Sequence, residues 1–373
     1  MAKLRIAVVG PLELPSTQGG MSRHCEELYA RLAERGHEVT VFCQTAAGSS
    51  HRGMRLRRIP GVRVPGWERL GYSLIASLRS LFGRFDIVHY HSFASSGFCY
   101  LPRLGRKKVV VTVHRLEWQD QKWGRFARAF LKFCEWAAVR SSAVMITVSR
   151  TFKADLERRY RRIGPVHYVA NGVTPPITGG ADRLTALGVV PGTYGLTVGR
   201  LVAEKGLDLA VDAFGALAHE PGMADRELLI VGGARHSDDY VGTLQARAHE
   251  LRANVRFLGV RTGLELNALY EHAAVFIAPS YHEGQPLTVL EAMSHGRCVV
   301  ASDISAHEEL VGEAGILFPS GDAGALADAL RRALGTPDLT RELGDAGRRR
   351  VLESGEFSWD HAADETERIL VAL

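Results

Sequence analysis

Two carboxylates, Glu283 and Glu291, stand eight positions apart in the stretch Pro279-Ser-Tyr-His-Glu-Gly-Gln-Pro-Leu-Thr-Val-Leu-Glu-Ala-Met293. Pro279, Gly284 and Pro286 mark a loop, and Leu287, Leu290 and Met293 then recur at helical spacing. Glu283 therefore belongs to the loop and Glu291 to the helix after it. A loop carboxylate flanked by backbone N–H groups can hold sugar hydroxyls, and one placed a turn inside a helix can reach a ribose. A second cluster, Gly199-Arg-Leu-Val-Ala-Glu-Lys-Gly206, puts Arg200 and Lys205 at the opening of a helix, where the backbone already favours phosphate. Each cation would add a charge-assisted hydrogen bond of about 1.5–3 kcal/mol. Together they would counter the charge that develops on a departing diphosphate. His114 closes the run Val111-Thr-Val-His114, and Pro15-Ser-Thr-Gln-Gly-Gly-Met21 sets Gly19 beside Gly20, which permits a close backbone approach to a ligand.

Such residues need strands that end where they begin. Apolar, β-branched runs at residues 4–9, 109–113, 195–198 and 274–278 precede the Gly19-Gly20 loop, His114, Gly199 and Glu283 respectively. Further short strands are expected at 38–42, 87–90, 144–148, 228–231, 255–258, 298–301 and 315–318. Helical patterns lie between them: Cys25, Leu28, Tyr29 and Leu32 share one face, and residues 207–217 repeat the pattern. This alternation predicts parallel sheets covered on both faces, whose ligands bind at the carboxyl edge of the strands. Gly172, Pro175, Pro176, Gly179 and Gly180 mark a linker, after which the rhythm restarts. The expectation is an α/β protein of two Rossmann-like domains facing each other across a cleft. The first spans residues 1–170, the second 171–355, and a last helical segment 356–373.

Composition narrows the function. The 373 residues suit two domains, and 46% apolar with 23% charged residues is ordinary for a globular protein. No run is long enough to span a bilayer, and the start Met-Ala-Lys-Leu-Arg-Ile-Ala-Val-Val-Gly-Pro is a first strand rather than a signal peptide. Five cysteines without paired spacing predict buried thiols of a cytoplasmic protein. A net charge of +5 conceals a first half, residues 1–170, at +17 and a second at −12. A basic half suits a polyanionic surface, with anionic lipid first and a solvated face without partner as the plain alternative. Residues 124–140 and the basic stretch 52–84, which interleaves Trp67, Tyr72, Leu74, Leu78, Leu81 and Phe82, could lie on a membrane or pack as ordinary core helices. In the first of them Phe126, Phe130, Phe133 and Ala137 share a face. No nucleic-acid signature supports a nucleic-acid partner. Gly-x-Gly-x-x-Gly is absent, which counts against a dehydrogenase, and neither a P-loop nor a Gly-x-Ser-x-Gly nucleophile elbow is present. Asp238 and Asp239 are adjacent rather than spaced for a metal-bridged diphosphate.

The Glu-x7-Glu pair resembles the motif of retaining glycosyltransferases of the family 4 or "group 1" type. The Gly-Arg-Leu-x-x-x-Lys-Gly element, the Asn171-Gly-Val segment and the His-ended strand resemble the same family. His114-Arg-Leu-Glu-Trp118 is similar to the His-Gly-x-Glu-Trp sequence of bacterial polysaccharide glycosyltransferases, with Arg115 in place of the glycine. The resemblance implies the GT-B architecture, with the C-terminal helix packing back on an acceptor-binding first domain. It implies a hexosyltransferase that uses a nucleotide-sugar donor (UDP-, GDP- or dTDP-sugar), needs no cofactor and no metal, and retains the anomeric configuration. By resemblance Arg200, Lys205, Glu283 and His114 are catalytic. Gly19, Gly20, Gly284, Gln285, Pro286, Leu287, Thr288 and Glu291 bind the donor. Trp118 and Trp123 could stack on a sugar or pack internally.

A glycan, lipid-linked or small-molecule acceptor in cell-surface polysaccharide or glycoconjugate synthesis fits this reading, with a cytoplasmic enzyme attached peripherally to the inner face of the plasma membrane. A sugar-nucleotide epimerase or hydrolase on the same fold, a secondary-metabolite glycosyltransferase and a non-catalytic binding module stay open as alternatives.

Overall fold

The computed structural model describes residues 3–17, 19–59, 68–119, 123–160, 164–223, 225–234 and 238–373. Gln18, Trp67, residues 120–122 and the side chain of Asp238 lie outside the described residues. Contacts divide the chain into unit 1, Met1–Gly172 with Ser358–Leu373, and unit 2, Val173–Phe357.

Unit 1 runs β1 (Arg5–Val9), β2 (Glu13–Leu14), α1 (Gly20–Glu34), β3 (Glu38–Cys43), β4 (Thr45–Ala46), β5 (Ser50–His51), β6 (Met54–Arg58) and α2 (Glu68–Phe82). It continues with β7 (Ile87–His91), α3 (Tyr100–Leu104), β8 (Lys108–Val113), α4 (Arg125–Ser141), β9 (Val144–Thr147), α5 (Arg150–Arg159) and β10 (Val166–Tyr168). Its main sheet has the order β10-β9-β8-β7-β1-β3-β6-β5 and is parallel except for β5 against β6. The strands are buried on both faces, so they read as near-continuous apolar runs such as Ile6-Ala-Val-Val9. The order reverses direction between β1 and β7. There Gly10, at φ +147°, lies so close to β7 that a Cβ would stand 2.7 Å from that of His91.

Unit 2 runs α6 (Ala181–Ala186), β11 (Tyr194–Val198), α7 (Leu207–Leu217), β12 (Glu227–Val231), α8 (Asp238–Glu250), β13 (Val255–Gly259) and α9 (Gly263–Glu271). Then follow β14 (Val275–Ala278), α10 (Leu287–Ser294), β15 (Val299–Ser302), α11 (Ser305–Val311), β16 (Gly315–Phe318), α12 (Ala323–Gly335) and α13 (Pro337–Leu352). Its sheet order, β13-β12-β11-β14-β15-β16, is wholly parallel. Counted from β11 this is 3-2-1-4-5-6, the doubly wound order that places a ligand crevice where β11 and β14 diverge. The chain ends with α14 (Trp359–Val371), which belongs to unit 1. It packs on α1 through Arg31–Asp360 and Arg35–Asp364 ion pairs, each 2.7 Å. Two Rossmann-like units in one chain are what the resemblance to GT-B glycosyltransferases implies.

Helix α4 buries Leu131, Cys134 and Ala138 against the sheet, whereas Phe126 and Phe133, two of the aromatic residues given to a common face, point outward. Ala137 is buried, so the face it shares with Phe126, Phe130 and Phe133 straddles the boundary between core and surface. Short strands β6 and β10 also went unpredicted, because Arg55, Arg57 and Arg58 alternate into the first and the second spans only three residues.

Candidate functional site

In unit 2 a pocket opens at the divergence of β11 and β14. It is lined by Gly199, Arg200, Lys205, Glu283, Pro286 and Thr288, with Ser280 and His307 among its other walls. Each reaches it for a local reason. β11 ends at Val198, and Gly199 and Arg200 follow at its carboxyl edge. The chain then makes a 3-10 turn, Ala203–Lys205, and Gly206 turns it into α7 with φ +61°. A Cβ on Gly206 would lie 2.1 Å from the Pro279 carbonyl oxygen, so only glycine lets this turn approach the end of β14 so closely. The Tyr281 N–H donates to the Glu204 carbonyl at 3.0 Å and ties the two loops together.

That approach joins two residues 78 positions apart. The Lys205 ammonium donates to Glu283 Oε1 in an ion pair, with both side chains largely buried. The Ser280 hydroxyl donates to the same oxygen at 3.0 Å. Behind it, the Ser302 hydroxyl donates to the Ser280 carbonyl at 2.6 Å, and His307 Nδ1 lies 3.0 Å from the Ser302 carbonyl. Burial holds the His307 pKa down to about 4, against the opposing pull of the Glu283 charge, so the imidazole is neutral. Its Nε2 is buried with no hydrogen-bond partner among the described residues. The sequence predicts Lys205 and Glu283 as separate contributors; the structure makes them partners, so an anion binding at Lys205 would compete with Glu283 for the ammonium.

Gly284 and Pro286 are buried beneath the loop, while Gln285, Leu287 and Thr288 are half-buried where α10 begins. The first-turn N–H groups of Leu287 and Thr288 precede the helical ladder, which leaves them available to an anion. Glu291 lies a turn further along α10 and outside the pocket lining. Its Oε2 accepts a 2.9 Å hydrogen bond from the Tyr270 hydroxyl on α9. Tyr270 is buried and stacks on His295, ring centroids 5.4 Å apart. Sequence spacing gave no sign of Tyr270, because α9 meets α10 only through the topology.

Unit 1 gathers a different group at its own point of divergence. His91 closes β7 and His114 follows β8; their Nδ1 and Nε2 lie 3.1 Å apart. His91 Nε2 also meets the Tyr29 hydroxyl at 2.7 Å, and His24 Nδ1 meets Asn171 Oδ1 at 2.8 Å. Burial lowers the pKa of His24 to about 4 and that of neighbouring His89 to about 3, and drives those of His91 and His114 well below 6.5. Four neutral imidazoles result. Among the described residues His24, His91 and His114 are the three that could offer nitrogens to one metal ion, within 4.8 Å of one another. His91 already bonds through both nitrogens, so an ion would have to displace the His91–His114 contact. Gly19 caps α1 at φ +95°, and Gly20 is its first residue.

The residues after His114 are structural in part. Glu117 accepts from the Ala94 N–H at 2.8 Å, fixing the loop after β7. The Trp118 indole donates to Glu135 at 2.7 Å, and the Lys132 ammonium sits 4.9 Å above its ring, which favours packing over a sugar platform. Trp123 is half-buried. The five cysteines are free and buried. Among the described residues no helix is long and apolar enough to cross a membrane.

Comparison with known proteins matches both units. Residues 18–175 match the family described as Glycosyltransferase Family 4, and residues 193–336 that described as Glycosyl transferases group 1. The chain is 29% identical to an alpha-maltose-1-phosphate synthase of Mycolicibacterium smegmatis, covering 98% of each. It is also 29% identical to a D-inositol 3-phosphate glycosyltransferase of Corynebacterium aurimucosum, covering 98% of this chain and 95% of that one. Among solved structures, sucrose-phosphate synthase of Thermosynechococcus elongatus superposes with a TM-score of 0.81 at 23% identity over 98% of both chains. Anabaena HepE in complex with UDP and glucose superposes with a TM-score of 0.82 at 18% identity, over 99% of this chain and all of that one.

Proposed function

Because the chain belongs to the family 4 and group 1 glycosyltransferases, we propose that it transfers a hexosyl group from a nucleotide-diphosphate sugar with retention of anomeric configuration and without a metal. The observation that carries the reading is the pocket of unit 2, which collects Arg200, Lys205 and Glu283 at the divergence point of a 3-2-1-4-5-6 sheet. Cations fixed beside a helix N-terminus can neutralise a leaving diphosphate as a metal would. HepE, of the same fold, is described in complex with UDP-glucose, which supports a nucleotide sugar here. UDP-, GDP- and dTDP-sugars all remain suitable donors, and no cofactor is required.

The roles proposed are those the family resemblance implies, and the pocket supports them. Arg200 and Lys205 take the diphosphate. Glu283 holds the sugar, and the backbone from Gly284 through Gln285, Pro286, Leu287 and Thr288 holds sugar and phosphate. Glu291, oriented by Tyr270, accepts from the ribose. Glu283 and Glu291 are not the acid and nucleophile of a glycosidase, since one is committed to the ribose. To unit 1 we assign the acceptor, with Gly19, Gly20 and a neutral His114 shaping the reacting centre. A neutral imidazole can hydrogen-bond a sugar hydroxyl without repelling positive charge that develops on the sugar ring. The strongly basic first half supports a glycan or lipid-linked acceptor in cell-surface polysaccharide or glycoconjugate synthesis, met by a cytoplasmic enzyme at the inner face of a membrane.

The test is donor consumption with and without acceptor, in EDTA, followed by the anomeric coupling in the product's NMR spectrum. Transfer with the donor's own configuration supports the reading. Inversion, a metal requirement, or equal consumption without acceptor would overturn it, the last in favour of a hydrolase or epimerase.

A further inference from the structure

Helices α2, α3 and α4 connect β6 to β7, β7 to β8 and β8 to β9. All three crossovers run the same way along the sheet, so the right-handed rule lays them on one face, with α1 on the other. They pack side by side: α3 touches both α2 and α4, and the Arg103 guanidinium donates to the Arg140 carbonyl at 2.8 Å.

The outward side of this layer departs from what a solvated helix layer presents. On α2 an exposed stripe at every fourth position reads Leu74, Leu78, Phe82. On α4 the outward stripe is Phe126, Phe133 and Trp136, spaced seven and three apart, on the side opposite buried Leu131 and Cys134. Phe126 is 94% exposed and Phe82 83%. Tyr100 and Leu104 of α3 are exposed between the two stripes. These residues form rows rather than isolated exceptions, and contiguous exposed apolar surface marks an interaction site.

Among the described residues, the exposed charge on these three helices is basic. Arg125, Arg128 and Lys132 flank the aromatic stripe of α4, and Arg140 continues it; Arg79 and Arg84 flank Phe82. The acidic side chains described between residues 69 and 141 are Asp86, Glu117 and Glu135, and each is held by an arginine: Arg5, Arg69 and Arg159. The α1–α14 surface is different, with its arginines paired to exposed aspartates.

We propose that the α2–α3–α4 face of unit 1 docks on an anionic phospholipid bilayer. Aromatic and leucine side chains at this density insert at the headgroup boundary, while arginine and lysine extend to the phosphates. A second copy is the poorer partner, because two faces whose described exposed charges are mainly basic repel. Nucleic acid has no use for the apolar rows. The proposal deepens the membrane-proximal part of the functional reading and is independent of the donor chemistry in unit 2.

Flotation of the full chain with phosphatidylcholine vesicles, with and without phosphatidylglycerol, tests it. Binding is expected to the anionic vesicles and to fall with salt. The R125E/R128E variant should bind at least about 25-fold more weakly, fivefold for each basic residue near the surface. The F126S/W136S variant should lose at least about tenfold, and its exposed positions leave folding intact. Nucleoside diphosphate affinity should be unchanged in both variants, which separates this surface from the donor site. No binding at low salt, or full binding by both variants, would overturn the proposal. So would concentration-dependent self-association that F126S/W136S abolishes without any vesicle binding, which would assign the face to a protein contact.

Discussion

The ion pair between Lys205 and Glu283 sets up a test in which two neighbouring substitutions must act in opposite directions. The ammonium donates to Glu283 Oε1, and Ser280 supports the same oxygen at 3.0 Å. A diphosphate arriving at Arg200 and Lys205 must take that ammonium from the carboxylate and tolerate its charge. Glu283→Gln keeps the shape and the Ser280 contact but removes the competing charge. A charge-assisted hydrogen bond contributes about 1.5–3 kcal/mol, and the pair now offsets part of it. Glu283→Gln should therefore tighten nucleoside diphosphate binding by about 1–2 kcal/mol, roughly five- to thirtyfold. Lys205→Met should weaken it by about 1.5–3 kcal/mol. Turnover should fall in both, by about 100-fold or more, because each removes a group that acts on the transferring sugar or the leaving phosphate. Calorimetric titration with the diphosphate product, beside initial rates, reads both effects. If Glu283→Gln weakened diphosphate binding as Lys205→Met does, Glu283 would be orienting the ammonium rather than rivalling the phosphate, and the assigned roles would be wrong.

Three further outcomes follow from the geometry. Tyr270→Phe removes the 2.9 Å hydrogen bond to Glu291; it should raise the donor KM about tenfold with a smaller change in kcat, and cost about 1–2 kcal/mol in urea unfolding. Gly206→Ala would put a Cβ against the Pro279 carbonyl in a left-handed backbone; a loss of at least about 2 kcal/mol and of diphosphate binding is expected, read by melting with and without ligand. Stability should fall with acid. His24, His295 and His307 have folded pKa values near 4 against 6.5 in the unfolded chain. Their contribution is therefore complete above pH 6.5 and is lost as pH falls from there, by about 1.4 kcal/mol per pH unit for each. His89→Gln, removing a group held near 3, should flatten the urea midpoint's dependence on pH.

The elements were legible because burial on both sheet faces writes itself as short β-branched runs. The helix at Leu207–Leu217 and the strand at Gly315–Phe318 follow from periodicity alone. The loop placement of Glu283 and the helical placement of Glu291 were equally local, set by Pro279, Gly284 and Pro286. What escaped depended on topology. Lys205 meets Glu283 only because β11 and β14 are neighbours in the sheet, though 78 residues separate the pair. Tyr270 reaches Glu291 from the preceding helix, and His24 and His91 join His114 from α1 and β7. Helix α4 shows the limit of periodicity most plainly. A helical wheel identifies which residues share a face, but the partner of that face is decided by packing. Here the sheet took Leu131, Cys134 and Ala138 and left Phe126, Phe133 and Trp136 outside.

Unit 2 is proposed to hold a nucleoside diphosphate through Arg200 and Lys205 with no metal. Thermal unfolding in EDTA with UDP, GDP, ADP and dTDP in turn tests it most directly. Ligand at a hundred times its Kd stabilises the folded state by about 2.7 kcal/mol, a shift of a few degrees. That shift is expected with at least one diphosphate, and should disappear in Arg200→Ala. No shift with any of the four, or one that needs a divalent metal or survives Arg200→Ala, would contradict it.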